Sequence, residues 1–144
     1  MNFKKHAQKL ETFLEDEFSK KLPVAQFPNG TVVFNNFKIK KDKANYWVLY
    51  KASVASPIET FNLKVCALLA AKFYEKNNIN KFNEVRQLDR LYQQNFNDAT
   101  IFKYRFRTSK DSDRRDIALW RWEITDSRAK ATRNQIAHMF RLTF

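Results

Sequence analysis

The chain has one glycine, Gly30, and no proline beyond Pro57. The 87 residues from Ile58 to Phe144 contain neither of the strong breakers of regular structure. Glycine supplies positive φ and proline stops helices, so their absence predicts long helices with few tight turns. It also excludes mechanisms that need backbone to bend sharply or approach a ligand closely. A P-loop, a G-x-G-x-x-G dinucleotide site and a G-x-S-x-G elbow all require glycines that are missing. Cysteine is nearly absent too. Cys66 alone cannot close an intramolecular disulfide, which suits a reducing compartment. Only two histidines occur, His6 and His138, and neither pairs with another His or Cys at metal-ligand spacing. Long apolar runs are lacking as well. The longest aliphatic stretch, Val65-Cys66-Ala67-Leu68-Leu69-Ala70-Ala71, falls far short of a membrane span. The first residues reach Glu11, Glu15, Asp16 and Glu17 without an apolar core, so no secretory signal is expected. A soluble, cytoplasmic protein without cofactor, metal or membrane partner is the expectation.

What is present is aromatic and basic. There are 14 Phe, 5 Tyr and 3 Trp in 144 residues, and the formal net charge is +12. Rings of this kind dominate cores and interfaces. The charge is unevenly placed. Residues 31–56 carry five lysines against Asp42 alone, whereas residues 99–144 carry eleven basic and five acidic side chains. Such a balance favours polyanionic partners.

The apolar periodicity divides the chain. Phe3, Ala7, Leu10, Leu14, Phe18 and Leu22 repeat at three- and four-residue steps, which predicts a helix ended by Pro23. Pro28-Asn29-Gly30 is a turn signal. Thr31–Phe34, Phe37–Ile39 and Tyr46–Tyr50 then read as strands of a small antiparallel meander of two or three strands. Ser56-Pro57-Ile58-Glu59 reads as a capped helix start. A competing reading lets Ile58–Phe61 finish the sheet and starts the helix at Asn62. In either, Leu63–Lys76 is helical and Asn77-Asn78 closes the helix.

Residues 80–109 form one long amphipathic pattern. Val85, Tyr92, Ala99 and Phe106 fall seven apart, with Leu88 and Phe102 as companions. Asp111-Ser112-Asp113 supplies caps for a last helix over about 113–142, whose apolar line begins at Ile117, Trp120, Ile124 and Ala131. Two long helices with a short connection fold back as an αα-hairpin; an unbroken rod is the alternative. The fold class expected is therefore α+β and mostly helical, in a single domain over 1–144. A helix (1–23) precedes a small sheet (24–56), a helix (57–78) and a long helical hairpin (80–144). Helices of about 45 Å exceed what a small domain usually covers. Their stripes are expected to meet a second copy through Tyr92, Phe96, Phe102, Phe106 and Trp120, giving a homodimer.

No constellation points to catalysis. The carboxylates fall at helix starts or at ion-pair spacing, as with Asp126 and Lys130, so a non-enzymatic interaction protein is the leading expectation. The alternative rests on Phe102-Lys103-Tyr104-Arg105-Phe106-Arg107 and Trp120-Arg121-Trp122. Interleaved cations and rings hold single-stranded nucleic acid, with cations on phosphates and rings under bases. Lys103, Arg105, Arg107, Lys110, Arg114, Arg121 and Arg128 are the candidate contacts. The plainer reading of the same tract is a basic solvent face backing an aromatic core.

The Lys-rich Phe34-Asn35-Asn36-Phe37-Lys38-Ile39-Lys40-Lys41, the segment Ala99-Thr100-Ile101-Phe102-Lys103-Tyr104, and the closing Trp120-Arg121-Trp122-Glu123 and Met139-Phe140-Arg141 resemble uncharacterised small proteins of marine T4-like phages. The Phe/Asn/Lys-heavy composition also suits an AT-rich viral genome. The resemblance spans about two thirds of the chain. It implies a phage-encoded protein acting inside an infected bacterium, and carries no activity, cofactor or site residue.

Overall fold

A computed structural model describes residues 24–26 and 30–144. The helix expected over 3–22 lies outside them. The described chain is α+β and mostly helical. Its strands are β1 (Val24–Gln26), β2 (Val32–Phe34), β3 (Phe37–Lys41), β4 (Trp47–Lys51) and β5 (Pro57–Phe61), paired antiparallel in sequence order as a meander. Three helices follow: α1 (Lys64–Glu75), α2 (Ile79–Thr108) and α3 (Ser112–Thr143).

The meander is larger than the sequence suggested, with five strands rather than two or three. The added fifth corrects the helix expected to start at Ser56 and Pro57. Pro57 opens a strand instead, with Ser56 in the bend before it, and the competing reading holds. Pro57 is the first residue of an edge strand, where a missing N–H breaks no ladder. Trp47 pairs with Phe61 and Leu49 with Glu59. This turns Phe61 onto the same buried face as Trp47, Leu49, Ile39 and Phe37.

Asparagines supply the turns that the absent glycines leave open. Asn35, Asn45 and Asn77 all have positive φ, at 50°, 68° and 56°. Asparagine visits this region at less cost than other side chains because its amide hydrogen-bonds locally. Asn35 opens the two-residue β2–β3 connection. Asn45 closes the β3–β4 turn, donating its N–H to the Asp42 carbonyl at 3.1 Å. Asn77 follows α1, and the N–H of Asn78 reaches back to the Phe73 carbonyl at 2.9 Å, the closure of a Schellman motif. Asn77→Ala is therefore expected to cost about 1 kcal/mol, and Asn77→Gly to be neutral or stabilising. Urea unfolding of the two variants checks this; equal stability would remove the backbone argument.

α1 is apolar nearly all round, as a helix buried on every side must be. It packs against β3, β4, β5, α2 and α3, and forms the centre of the core. The ends of the long hairpin nearest it join this core through Phe82, Val85, Ile136 and Phe140.

The hairpin is present, and the unbroken rod is excluded. Ser109 leaves the helix with extended backbone (ψ 134°), and the Asp111 carboxylate accepts from the N–H of Asp113 at 3.0 Å. The two helices meet along complementary seams. Phe82, Val85, Asp89, Tyr92, Phe96, Ala99, Lys103 and Phe106 follow alternating steps of three and four on α2. On α3, Ala118, Trp122, Thr125, Ala129, Thr132 and Ile136 do the same. Over the middle of the seam the bulky side chains of α2 meet the small Thr125, Ala129 and Thr132 of α3, a coiled-coil arrangement in which knobs fill holes, while toward the turn Phe106 meets Trp122. The Thr125 and Thr132 hydroxyls donate to the Arg121 and Arg128 carbonyls at 2.8 and 2.9 Å, so they are satisfied within their own helix.

This seam corrects the apolar line read from the last helix. Ile117, Trp120 and Ala131 are exposed, and the buried line is the small-residue one beside them. Close approach of two helices selects small side chains, so the larger apolar residues are displaced to the flanks.

Candidate functional site

The hairpin's far end, where α2 turns into α3, gathers most of the candidate basic residues. Arg105 and Arg121 lie on different helices, and each guanidinium sits 5.6 Å from the ring centre of Phe102. Arg115 lies 5.3 Å from the Phe106 ring, and Lys103 lies 5.4 Å from Trp122. Phe106 and Trp122 pack against each other across the seam, with ring centres 5.9 Å apart. The interleaving of rings and cations in the sequence thus becomes cations laid against rings in space, each contact worth about 0.5–1 kcal/mol at such exposed positions.

A cleft of about 410 Å³ opens here. Arg105, Arg114 and Arg121 stand around it, Phe102, Ile117 and Ala118 supply apolar lining, and the connection residues Thr108 and Ser109 bound one side. Among the described residues, Arg105 and Arg121 have no carboxylate within ion-pair distance. Arg114 approaches Asp111 at 3.8 Å, with its side chain 83% exposed, so the pairing is weak. Of the seven candidate basic residues, three therefore converge on one cleft. Lys103 lies on the seam against Trp122. Arg107 and Lys110 are exposed near the turn, and Arg128 is exposed farther along α3, so these three are outside the lining.

The candidate interface residues separate in the same way. Tyr92 and Phe96 are buried within this single chain, at 2% and 5% exposure, and stack on each other at 6.3 Å. The expectation that they meet a second copy is corrected: α3 covers them. Burial pushes the Tyr92 phenol up, with Arg133 opposing and Asp126 adding to the rise. Phe102 is half-buried at the cleft, Phe106 is half-buried against Trp122 in the seam, and Trp120 remains 61% exposed.

A buried carboxylate went unnoticed in the sequence. Asp89 is 2% exposed. It accepts from the backbone N–H of Asn62 at 2.8 Å, the Asn62 amide at 3.0 Å and the backbone N–H of Leu63 at 3.0 Å. Leu63 is the residue before α1 and has no side-chain cap of its own, so Asp89 caps that helix from α2. Burial pushes its pKa up to about 6, against the pull of the Asn62 and Leu63 donors and the Cys66 thiol. A shifted carboxylate can mark an active site. Here both oxygens are held by donors of the β5–α1 corner, and Asp89 lines neither the hairpin cleft nor the cleft of about 420 Å³ beside His138 and Met139. Its role is structural. The nearby pair of Arg86 and Glu59 approaches to 2.7 Å but off the N–H axis, a Coulombic contact rather than an aligned hydrogen bond.

A second basic group lies on the sheet. Lys38 stands 5.7 Å from the Tyr50 ring, and its contact with neighbouring Lys40 holds its ammonium below the usual value. The two basic regions differ in chemistry. No arginine precedes Arg86, so the sheet and α1 carry only lysines while the hairpin carries all the arginines. Arginine is planar, stacks on rings and presents a fork of N–H donors, whereas lysine is a point charge. That switch was a readable signal for where the ring-contacting guanidiniums lie.

Among the described residues, no three His, Cys, Asp or Glu side chains gather as a metal site requires. None of the described helices is long and apolar enough to cross a membrane. Comparison with known proteins gives no match, whether to family models, curated proteins or solved structures.

Proposed function

We propose that this protein binds nucleic acid through the arginine-rich end of its helical hairpin, acting by recognition rather than catalysis. The observation that carries this reading is the convergence of Arg105, Arg114 and Arg121 on one cleft beside Phe102. Arg105 and Arg121, without carboxylate partners among the described residues, favour phosphate oxygens, and the net charge of +12 draws polyanions from a distance. The cytoplasm of a phage-infected bacterium, the setting implied by the sequence resemblance, would supply such strands.

Binding to an unstructured oligonucleotide is expected to fall steeply with salt, the logarithmic slope declining by about 0.7 for each phosphate contact removed. Arg121→Glu is expected to weaken it at least about tenfold at low salt. Fluorescence anisotropy over a salt series checks both. Absent or salt-independent binding would end the proposal.

A second reading, assembly through a helical interface, is favoured by the exposed apolar side chains Ile117 and Trp120 on one flank of α3. With Tyr92 and Phe96 inside the fold, a homodimer would rest on Phe102, Phe106 and Trp120. Light scattering of the wild type and Trp120→Asp at micromolar concentration tests it, and a monodisperse wild-type monomer would exclude it.

A further inference from the structure

We infer that the hairpin cleft takes the phosphorylated 5′ end of a nucleic-acid strand, with the terminal phosphate among Arg105, Arg114 and Arg121 and the first nucleoside against the apolar wall of Ile117 and Ala118. This rests on the nucleic-acid reading and narrows its ligand.

Phe102 carries guanidiniums from both helices, at 5.6 Å each. A phenyl ring attracts a guanidinium without taking up its N–H groups as a hydrogen-bond acceptor would, so Phe102 holds two donor forks near the cleft. Arg114 adds a third cation from the first turn of α3, with a long contact of 3.8 Å to Asp111. The three surround one cleft of about 410 Å³ rather than forming a line. A strand lying along a surface offers one charge per phosphodiester, spread over its length. A terminal monoester carries about −1.5 to −2 charges at neutral pH and three acceptor oxygens in one place. Converging forks match the second distribution, and bidentate arginine contacts reward it.

The cleft's boundaries point the same way. Thr108 and Ser109, at the chain reversal, close one side, which suits a strand that ends in the cleft. Ile117, half exposed on the lining, gives a nucleoside an apolar surface that a bare phosphate would not need. Phe102 is then a positioning residue. It acts through the two arginines, since their guanidiniums occupy its ring.

The test compares 3′-fluorescein oligo(dT) carrying a 5′-phosphate with the same strand carrying a 5′-hydroxyl, by anisotropy. The phosphorylated strand is expected to bind about tenfold more tightly near pH 7.5, and the preference to shrink near pH 5 as the monoester gains a proton. Phe102→Ala is expected to abolish the preference, so that the phosphorylated strand binds no more tightly than the hydroxyl strand, and Phe102→Tyr to restore it. Arg121→Lys, which keeps the charge but removes the fork, is expected to lose the preference too, and decides the matter if Phe102→Ala loses its helical circular dichroism. Equal affinity for the two wild-type ligands would overturn the inference and leave the nucleic-acid reading standing. Absence of binding to either would overturn both. Thymidine 5′-monophosphate competing as well as the phosphorylated strand would overturn the strand and assign the cleft to a free nucleotide.

Discussion

Asp89→Ala is expected to lower stability by about 3 kcal/mol at neutral pH. The substitution strands the backbone N–H groups of Asn62 and Leu63 and the Asn62 amide in the β5–α1 corner, where each loses its acceptor. It also removes the carboxylate that caps α1, the helix at the centre of the core. Relief of a buried charge offsets part of the loss, so the effect is smaller than three orphaned donors alone would give. The offset makes the effect depend on pH. Asp89 has a pKa of about 6 in the folded protein, above the ordinary 3.8. The native state therefore holds this proton more tightly than the unfolded chain does. The stability gained is full below about pH 4 and is lost as pH rises through about 6, a change on the order of 3 kcal/mol. The alanine variant lacks this titration. Its deficit relative to wild type is expected to be larger near pH 5 than near pH 8. Urea unfolding at the two pH values measures it, and a deficit that grows with pH would refute the assignment.

Tyr92→Ala is expected to cost about 4 kcal/mol, and to lower Tm by about 10 °C. Tyr92 is buried in the hairpin seam, stacked on Phe96 and facing the small residues of α3. α3 offers alanines and threonines there, which cannot move in to fill the space, so the cavity remains and its cost with it. Because the contact lies within one chain, the loss should not vary with protein concentration. Thermal melts at concentrations about a hundredfold apart provide the check. A variant with unchanged Tm that shifts only from dimer to monomer would return Tyr92 to an intermolecular interface.

Both predictions concern residues whose type the sequence displayed and whose setting it concealed. Tyr92 stood on a readable seven-residue repeat with Val85, Ala99 and Phe106. That repeat fixed which face of α2 is apolar, and says nothing about what covers it. Asp89 was hidden more deeply. Its acceptors serve donors 26 and 27 residues away, and no local pattern links an aspartate within a helix to an uncapped helix elsewhere. Ser56-Pro57 misled because the same dipeptide suits a helix start and the first residue of an edge strand. Strand pairing with Trp47–Tyr50, a nonlocal contact, decided between them.

The candidate site divides along the same line. The basic and aromatic residues of 102–121 were legible as a set. Their grouping was not, because adjacent residues on a helix point to different faces and the partner of Phe102 comes from both arms of the hairpin. Arg105 reaches its ring from three residues away, whereas Arg121 reaches it only once the chain has reversed.

By itself, the sequence determined the long helices, the strand-rich segment before them and the excess of positive charge, while the reversal near Asp111 stayed open against an unbroken rod. Each depends on local backbone preference or on composition. With glycine nearly absent, it also left turns to other residues, and Asn35, Asn45 and Asn77 took them. Only the tertiary structure decided which apolar stripes are covered, that small side chains line the α3 seam, that Asp89 caps α1 and that three arginines share one cleft. These outcomes depend on pairings between residues distant in sequence. Burial and electrostatics act through space, and a one-dimensional period records a face without naming what the face meets.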